Sequence, residues 1–277
     1  MNANAYADKT GAEIRALCRG GAFEGPTAGV ALGYTQVNLV ILRAEASEEF
    51  EAFCRANPKP CPLLERTAPG RYEPRSMAPH ADVRTDLPRY RVLQHGRCVE
   101  RPTSITTYWS NATRSRASDF VAFLIGCSFT FETALLKAGV PVRHIEEGKN
   151  VPMYRTNIAC TPAGRFHGPL VVSMRPMTPA EAELATRITA AFPRVHGAPI
   201  HLGDPSAIGI TDLTRPDYGD AVTLRRGEIP VFWACGVTPM EAIILAKLDI
   251  AITHEPGHML VTDVTDESLR GGAGAQA

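Results

Sequence analysis

Cys127 and Cys235 each follow a short apolar run. Three residues beyond each stands a threonine that opens a helical pattern, in Cys127-Ser128-Phe129-Thr130 and Cys235-Gly236-Val237-Thr238. A thiol beside a helix N-terminus feels a partial positive charge that lowers its pKa and draws anions. The plainer readings are a buried cysteine acting as a small inert hydrophobe and a threonine acting as a helix cap. Histidines end the same two stretches, at His144 and His254. An imidazole, with a reference pKa of about 6.5, suits proton transfer. His144 belongs to the densest polar run of the chain, residues 143–150, with Glu146 two positions on and Arg155 and Asn157 just beyond. Arg155 offers a planar fork that grips a carboxylate through two hydrogen bonds, and Asn157 can orient an amide or a carboxylate. A charge run is usually a solvated face, but Pro141 and Pro152 bracket this one and favour a fixed loop.

The catalytic candidates are therefore Cys127, His144, Glu146, Cys235 and His254. The substrate-binding candidates are Asn38, Thr130, Arg155, Asn157, Asp204 and Thr238. Each has an alternative role as a structural hydrogen-bonder. What unites most of them is position: in parallel α/β sheets, ligands bind outside the carboxyl ends of the strands. Cys127, His144, Arg155, Cys235 and His254 are expected to line one pocket. His254-Glu255-Pro256-Gly257-His258 spells the H-E-x-x-H zinc pattern. That pattern needs a helix so that both histidines share a face, and Pro256-Gly257 breaks one. No tightly held zinc is expected. There is no G-x-S-x-G elbow, no Walker A loop and no G-x-G-x-x-G after a strand, so no organic cofactor is expected either.

The elements that must position these residues read as follows. Residues 37–42 form a strand buried on both faces, and residues 47–56 a helix capped by Ser47. Residues 57–105 are long, Pro-rich and irregular, and their polar segment 82–86 is expected to close over a site. Two units then match when aligned on their cysteines. The first is strand 123–127, helix 130–138 ended by Gly139 and strand 140–145. The second is strand 231–235, helix 238–248 and strand 250–254. Each unit closes on His, Glu and Gly, which reads either as an internal repeat or as the common look of βαβ units. Between them lie extended segments 154–161 and 169–175 and an amphipathic helix over 178–192, with Thr178 and Glu181 as a capping box. The expected fold is α/β: a three-layer α/β/α main domain over 1–147 and 194–277, with a smaller two-layer α+β domain, of ββα type, inserted at 148–193.

The chain has 277 residues, with Lys+Arg 29 and Asp+Glu 29, so its formal charge is zero. Nucleic-acid binders show a basic excess, and no nucleic-acid partner is expected. No apolar run approaches the length of a spanning helix, and the N-terminal residues show no secretory pattern. The seven cysteines include no C-x-x-C pair and read as reduced thiols in a cytoplasm. The expected partner is a small carboxylate or amino acid, and the sequence leaves room for a homo-oligomer.

The chain resembles the YcsI-like hydro-lyase family of bacterial proteins and, through the same domain, part of mitochondrial D-glutamate cyclase. The residues that carry this include Gly126-Cys127-Ser128-Phe129-Thr130-Phe131-Glu132, Phe232-Trp233-Ala234-Cys235-Gly236-Val237-Thr238-Pro239 and Thr253-His254-Glu255-Pro256-Gly257-His258-Met259. Segments 33–39, 57–63, 82–88, 141–146, 150–157 and 196–201 add to it. Arg43 and Met240 depart from the family pattern, which has Pro and Gln there. The resemblance implies a carbon–oxygen lyase that eliminates water from a small carboxylate or amino acid. Its relative converts D-glutamate to 5-oxo-D-proline, and carries a further domain that this chain lacks. Such a reaction needs a base, an acid and a cation. His144 or His254 is the expected base, Glu146 or Cys127 the acid, and Arg155 the holder of the α-carboxylate. Two other classes stay open: a non-catalytic carboxylate-binding module, and a cysteine-dependent amidohydrolase using Cys127 or Cys235.

Overall fold

The computed structural model describes residues 3–110 and 120–271. Its frame is a pair of antiparallel sheets packed face to face. The larger sheet centres on β1 (Tyr34–Arg43), which pairs on one side with β5 (Phe120–Gly126) and on the other with β10 (Ala251–His254) and β11 (Leu260–Thr265). β2 (Leu63–Arg66) extends it beyond β5, and β3 (Tyr90–Gln94) and β4 (Arg97–Glu100) extend it beyond β10. The smaller sheet runs β6 (Met153–Ala159), β7 (Pro169–Met177), β9 (Ile229–Ala234) and β8 (His201–Leu202). β1 and β5 are buried along nearly their whole length because both their faces are covered.

Alternation decides which side chains meet which layer. Val121, Phe123 and Ile125 of β5 face Val172 and Met174 of β7 and Phe232 and Ala234 of β9, forming the core between the sheets. α2 (Ala44–Ala56) closes that core with Phe50 and Phe53. Phe120, Ala122 and Leu124 point the other way, onto Met77, Val83, Leu87 and Ile105. The outer face of the smaller sheet is covered by α4 (Phe129–Lys137) and α6 (Pro179–Ala190), through Phe131, Leu135, Ala182 and Ala185 against Val231 and Trp233. α1 (Gly11–Arg19), α3 (Thr106–Ser110), α5 (Arg143–Glu146) and α7 (Thr238–Ala246) complete the helices. Among the described residues, no helix is long and apolar enough to cross a membrane.

The α/β class is as expected, with several local corrections. All the strand pairings are antiparallel, so the argument from parallel strand ends does not apply as stated. The strand expected at 140–145 is instead the single turn α5 with Val142 as its cap, because Pro141 withholds a ladder donor. Helix α2 starts at Ala44 with Arg43 as cap, and the Ser47 hydroxyl donates to the Ala44 carbonyl at 2.7 Å. The stretch 57–105 contains β2, β3 and β4. Its polar segment lies against α1: Asp86, fully buried, accepts from Arg19 Nε at 2.8 Å and from the Asp82 amide at 2.9 Å. The capping box of Thr178 and Glu181 forms as expected, and Gly139, at φ 76°, ends α4.

Candidate active site

β5 and β9 each end at a cysteine loop, and Asn38 of β1 brings the two loops together. Its Nδ2 donates to the Gly126 carbonyl at 2.7 Å, and its side chain fills the space a Cβ on Gly236 would need, 1.9 Å away. Cys127 and Cys235 therefore share one apolar cluster with Ala28, Phe129, Val151, Met153 and Met259. Neither threonine caps its helix. Each instead clips the helix to a neighbouring strand. Thr130 Oγ1 accepts from the Gln36 amide and donates to the Gln36 carbonyl, both at 3.4 Å. Thr238 Oγ1 does the same to Val171, at 3.0 and 3.2 Å.

The thiols correct the expectation of a lowered pKa. Both are buried, and burial raises a group that must become an anion. Cys127 is pushed far above the usual thiol range although the Phe129 amide donates to its Sγ at 3.5 Å, and Cys235 is pushed up to about 11. Burial thus disfavours the thiolate at both positions, against the lowering expected from a helix N-terminus.

The charged groups lie just beyond the Cys127 loop, between α4 and β7. Arg175, wholly buried, directs Nε to Glu132 Oε1 at 3.0 Å, and its Nη2 donates to the same oxygen. Its Nη1 donates to Ser173 Oγ and its Nη2 to Ser128 Oγ, each at 3.1 Å. The guanidinium lies over the rings of Trp233 and Phe131, 5.3 and 5.5 Å from their centroids. α5 brings His144 Nε2 to 3.2 Å from Glu132 Oε1, without the alignment of a hydrogen bond. Burial would raise the Glu132 carboxyl, but the facing His144 and Arg175 hold it below its ordinary value. Glu132 Oε2 and His144 Nε2 are buried and unpartnered. The result is an ionised carboxylate whose Oε2 has no hydrogen-bond partner, facing an imidazole across Oε1 and fixed from behind by an arginine.

The other candidates are placed as follows. His254 sits on β10 with Nδ1 against the Leu39 backbone, and burial pushes its pKa down to about 4, so it is neutral at neutral pH. The segment after it is a turn, not a helix, and His258 Nδ1 lies against the Pro256 carbonyl. Glu146 turns away from His144 and accepts from Arg143 Nε at 2.9 Å. Arg155 is engaged by Asp217 at 2.6 Å and by Glu241 of α7 at 2.7 Å. Asn157 is exposed, against Gly209. Asp204 caps a surface turn through Ser206, away from the cysteine loops. Met240, the departure in the second unit, is buried beside Cys235, with Arg91 Nη1 at 3.7 Å from its sulfur. Arg43, the other departure, caps α2 and lies over the Phe120 ring. Among the described residues, no three His, Cys, Asp or Glu side chains gather as a metal-holding group.

Glu132, Arg175 and Ser173 are absent from the sequence candidates. Arg175 does leave a signal, since a lone charge inside an apolar strand must be paired if it is buried. Glu132 reads as an ordinary first-turn acid of α4, and only the fold reveals its partner.

A family model described as D-glutamate cyclase matches residues 121–263. That span holds both cysteine loops, α4, α5, β7 and the turn after His254. A protein of Stutzerimonas stutzeri named "Putative hydro-lyase" is 56% identical over 269 residues, which is 97% of this chain and 99% of that protein. A hydro-lyase-named protein of Bacillus licheniformis is 57% identical over 93% of this chain and 95% of its own length. YcsI of Bacillus subtilis, with the same naming, is 54% identical over 93% and 97%. With a match of this extent across the residues that build the site, the chain belongs to the D-glutamate cyclase family.

Proposed function

We propose that the protein is a lyase that eliminates water from a small carboxylate or amino acid, with closure of D-glutamate to 5-oxo-D-proline as the reaction to test first. The observation that carries the reading is the Glu132–His144 pair, each with a buried unpartnered atom, beside the Cys127 loop. In lactam closure the substrate nitrogen, having given up one ammonium proton, bonds to the γ-carbon; a second proton then leaves the nitrogen, and one γ-carboxylate oxygen departs with the two protons as water. Glu132, kept ionised by Arg175, is the base, and His144 carries protons to the departing oxygen. Arg175 has its fork committed to Glu132, so it is a positioning residue.

The test is incubation of the purified chain with D-glutamate, L-glutamate and 5-oxoproline, following interconversion by chiral chromatography. Formation of 5-oxoproline from one enantiomer, lost in Glu132→Gln, is the expected result. Absence of any interconversion would reject the cyclase reaction, and full turnover in Glu132→Gln would reject this assignment of the base.

A further inference from the structure

We propose that Gln36 and Asn150 form an acceptor-only subsite that selects the ammonium group of an amino-acid ligand. This rests on the site described above, and it names what that site recognises. Gln36 lies on β1, 4% exposed. Its Nε2 donates to the Thr27 carbonyl at 2.9 Å and the Val30 carbonyl at 3.0 Å. Carbonyls only accept, so the orientation of this amide is fixed. Oε1 is left buried without a donor. Asn150 repeats the arrangement: Nδ2 donates to the Pro256 carbonyl at 3.1 Å, and Oδ1 is buried without a donor.

The two amides hold segments that are joined to one another. The Thr27 amide donates to the Gly257 carbonyl at 2.8 Å, and the Met259 amide to Thr27 Oγ1 at 3.1 Å. Gly257 approaches so closely that a Cβ there would stand 2.3 Å from Asn150 Oδ1. Ala28, Val151 and Met259, on these same segments, pack with Cys127 and Cys235 in one cluster. Gln36 is also clipped to α4 through Thr130. The unpartnered oxygens around the cysteine loops are thus Gln36 Oε1, Asn150 Oδ1 and Glu132 Oε2. Arg175, the cation beside Glu132, is already engaged by Glu132, Ser128 and Ser173. A lining of acceptors is complementary to a group that brings several donors and a positive charge. An ammonium brings three donors, a hydroxyl one, and a methylene none.

The experiment compares matched ligands on the full chain by thermal unfolding: D-glutamate against D-2-hydroxyglutarate and glutarate, D-alanine against D-lactate, and the L-series alike. The stabilisation gives each dissociation constant. At least one amino acid is expected to bind roughly tenfold to a hundredfold tighter than its hydroxy and unsubstituted counterparts, the range for hydrogen bonds to a charged group. Asn150→Ala and Gln36→Met should each shrink that ratio, and the wild-type comparison stands even where a variant fails to fold. Equal binding of the hydroxy acids, no stabilisation by any amino acid, or an unchanged ratio in both folded variants would overturn the subsite. Selective amino-acid binding without product formation would instead reject the lyase reading and leave the subsite standing.

Discussion

The two cysteine units share a scaffold and differ in where they put their charge. In each, a buried strand ends at a cysteine, a threonine three residues on clips the following helix to a neighbouring strand, and a carboxylate stands about one turn into the helix. In the first unit that carboxylate is Glu132, five residues past Cys127. In the second, the equivalent position is Met240, and the carboxylate is Glu241, one residue later. A shift of one residue turns a helical side chain through about 100°. Glu132 consequently meets the wholly buried Arg175, whereas Glu241, itself buried, meets Arg155, whose side chain is 44% exposed. Tyr218 donates to Glu241 where His144 stands beside Glu132. Repeating a backbone does not repeat a reaction; a single helical position decides whether a buried acid is paired with an interior cation or with one at the surface.

That contrast can be broken at several points. The largest effect expected is on turnover: Glu132→Gln should cost about 10²–10⁴-fold in kcat, while Glu241→Gln should leave kcat within a few-fold. Comparable losses in both would mean that the units share the chemistry. Next is stability. Arg175→Met leaves Glu132 buried and without its cation, and should cost about 3–5 kcal/mol in a urea titration. Arg155→Met removes a half-exposed cation and leaves the buried Glu241 with Tyr218 as donor, so it should cost less than Arg175→Met. Equal costs would contradict the difference in burial of the two arginines. The threonine clips sharpen the comparison further. Thr238→Val strands the Val171 amide, which has the shorter bond, and should cost about 1–2 kcal/mol; Thr130→Val, with its longer contacts, should cost less.

The smallest effect is one of pH, and it belongs to the first unit alone. Asp266, bonded to Thr35 and beside Thr133 of α4, is raised by burial from 3.8 to about 7. A group whose folded pKa lies above its unfolded one adds stability that is present below the unfolded value and lost as pH rises through the folded value. Melting temperature should therefore fall between about pH 4 and pH 7, and Asp266→Asn should flatten that slope. An identical slope in the variant would assign it to another group.

How much of this was legible in the sequence depends on the range of the interaction. The paired cysteine loops were, because strand, cysteine, threonine and helix follow one another locally. So were the cap at Thr178 and the stop at Gly139. The partner of His144 was not. Glu146 is the nearer acid in sequence, but the turn of α5 carries it toward Arg143, and the acid that meets His144 comes from α4. Sheet direction was hidden for a similar reason: a buried apolar run looks the same in parallel and antiparallel pairing. Residues 148–193 read as a small inserted domain, and the pairing of β7 with β9, from outside that span, is a long-range choice that no local pattern encodes.

The central position of β1 bears on how the chain is made. Its partners β10 and β11 lie near the other end of the sequence, and the contact of Leu39 with His254 spans 215 residues. During synthesis this strand must wait until β10 and β11 have been made before both its edges are covered. Contacts so distant in sequence slow folding, and a buried strand with an open edge invites association with other chains in the meantime. A chain broken off before residue 251 would thus leave β1 without β10 and β11.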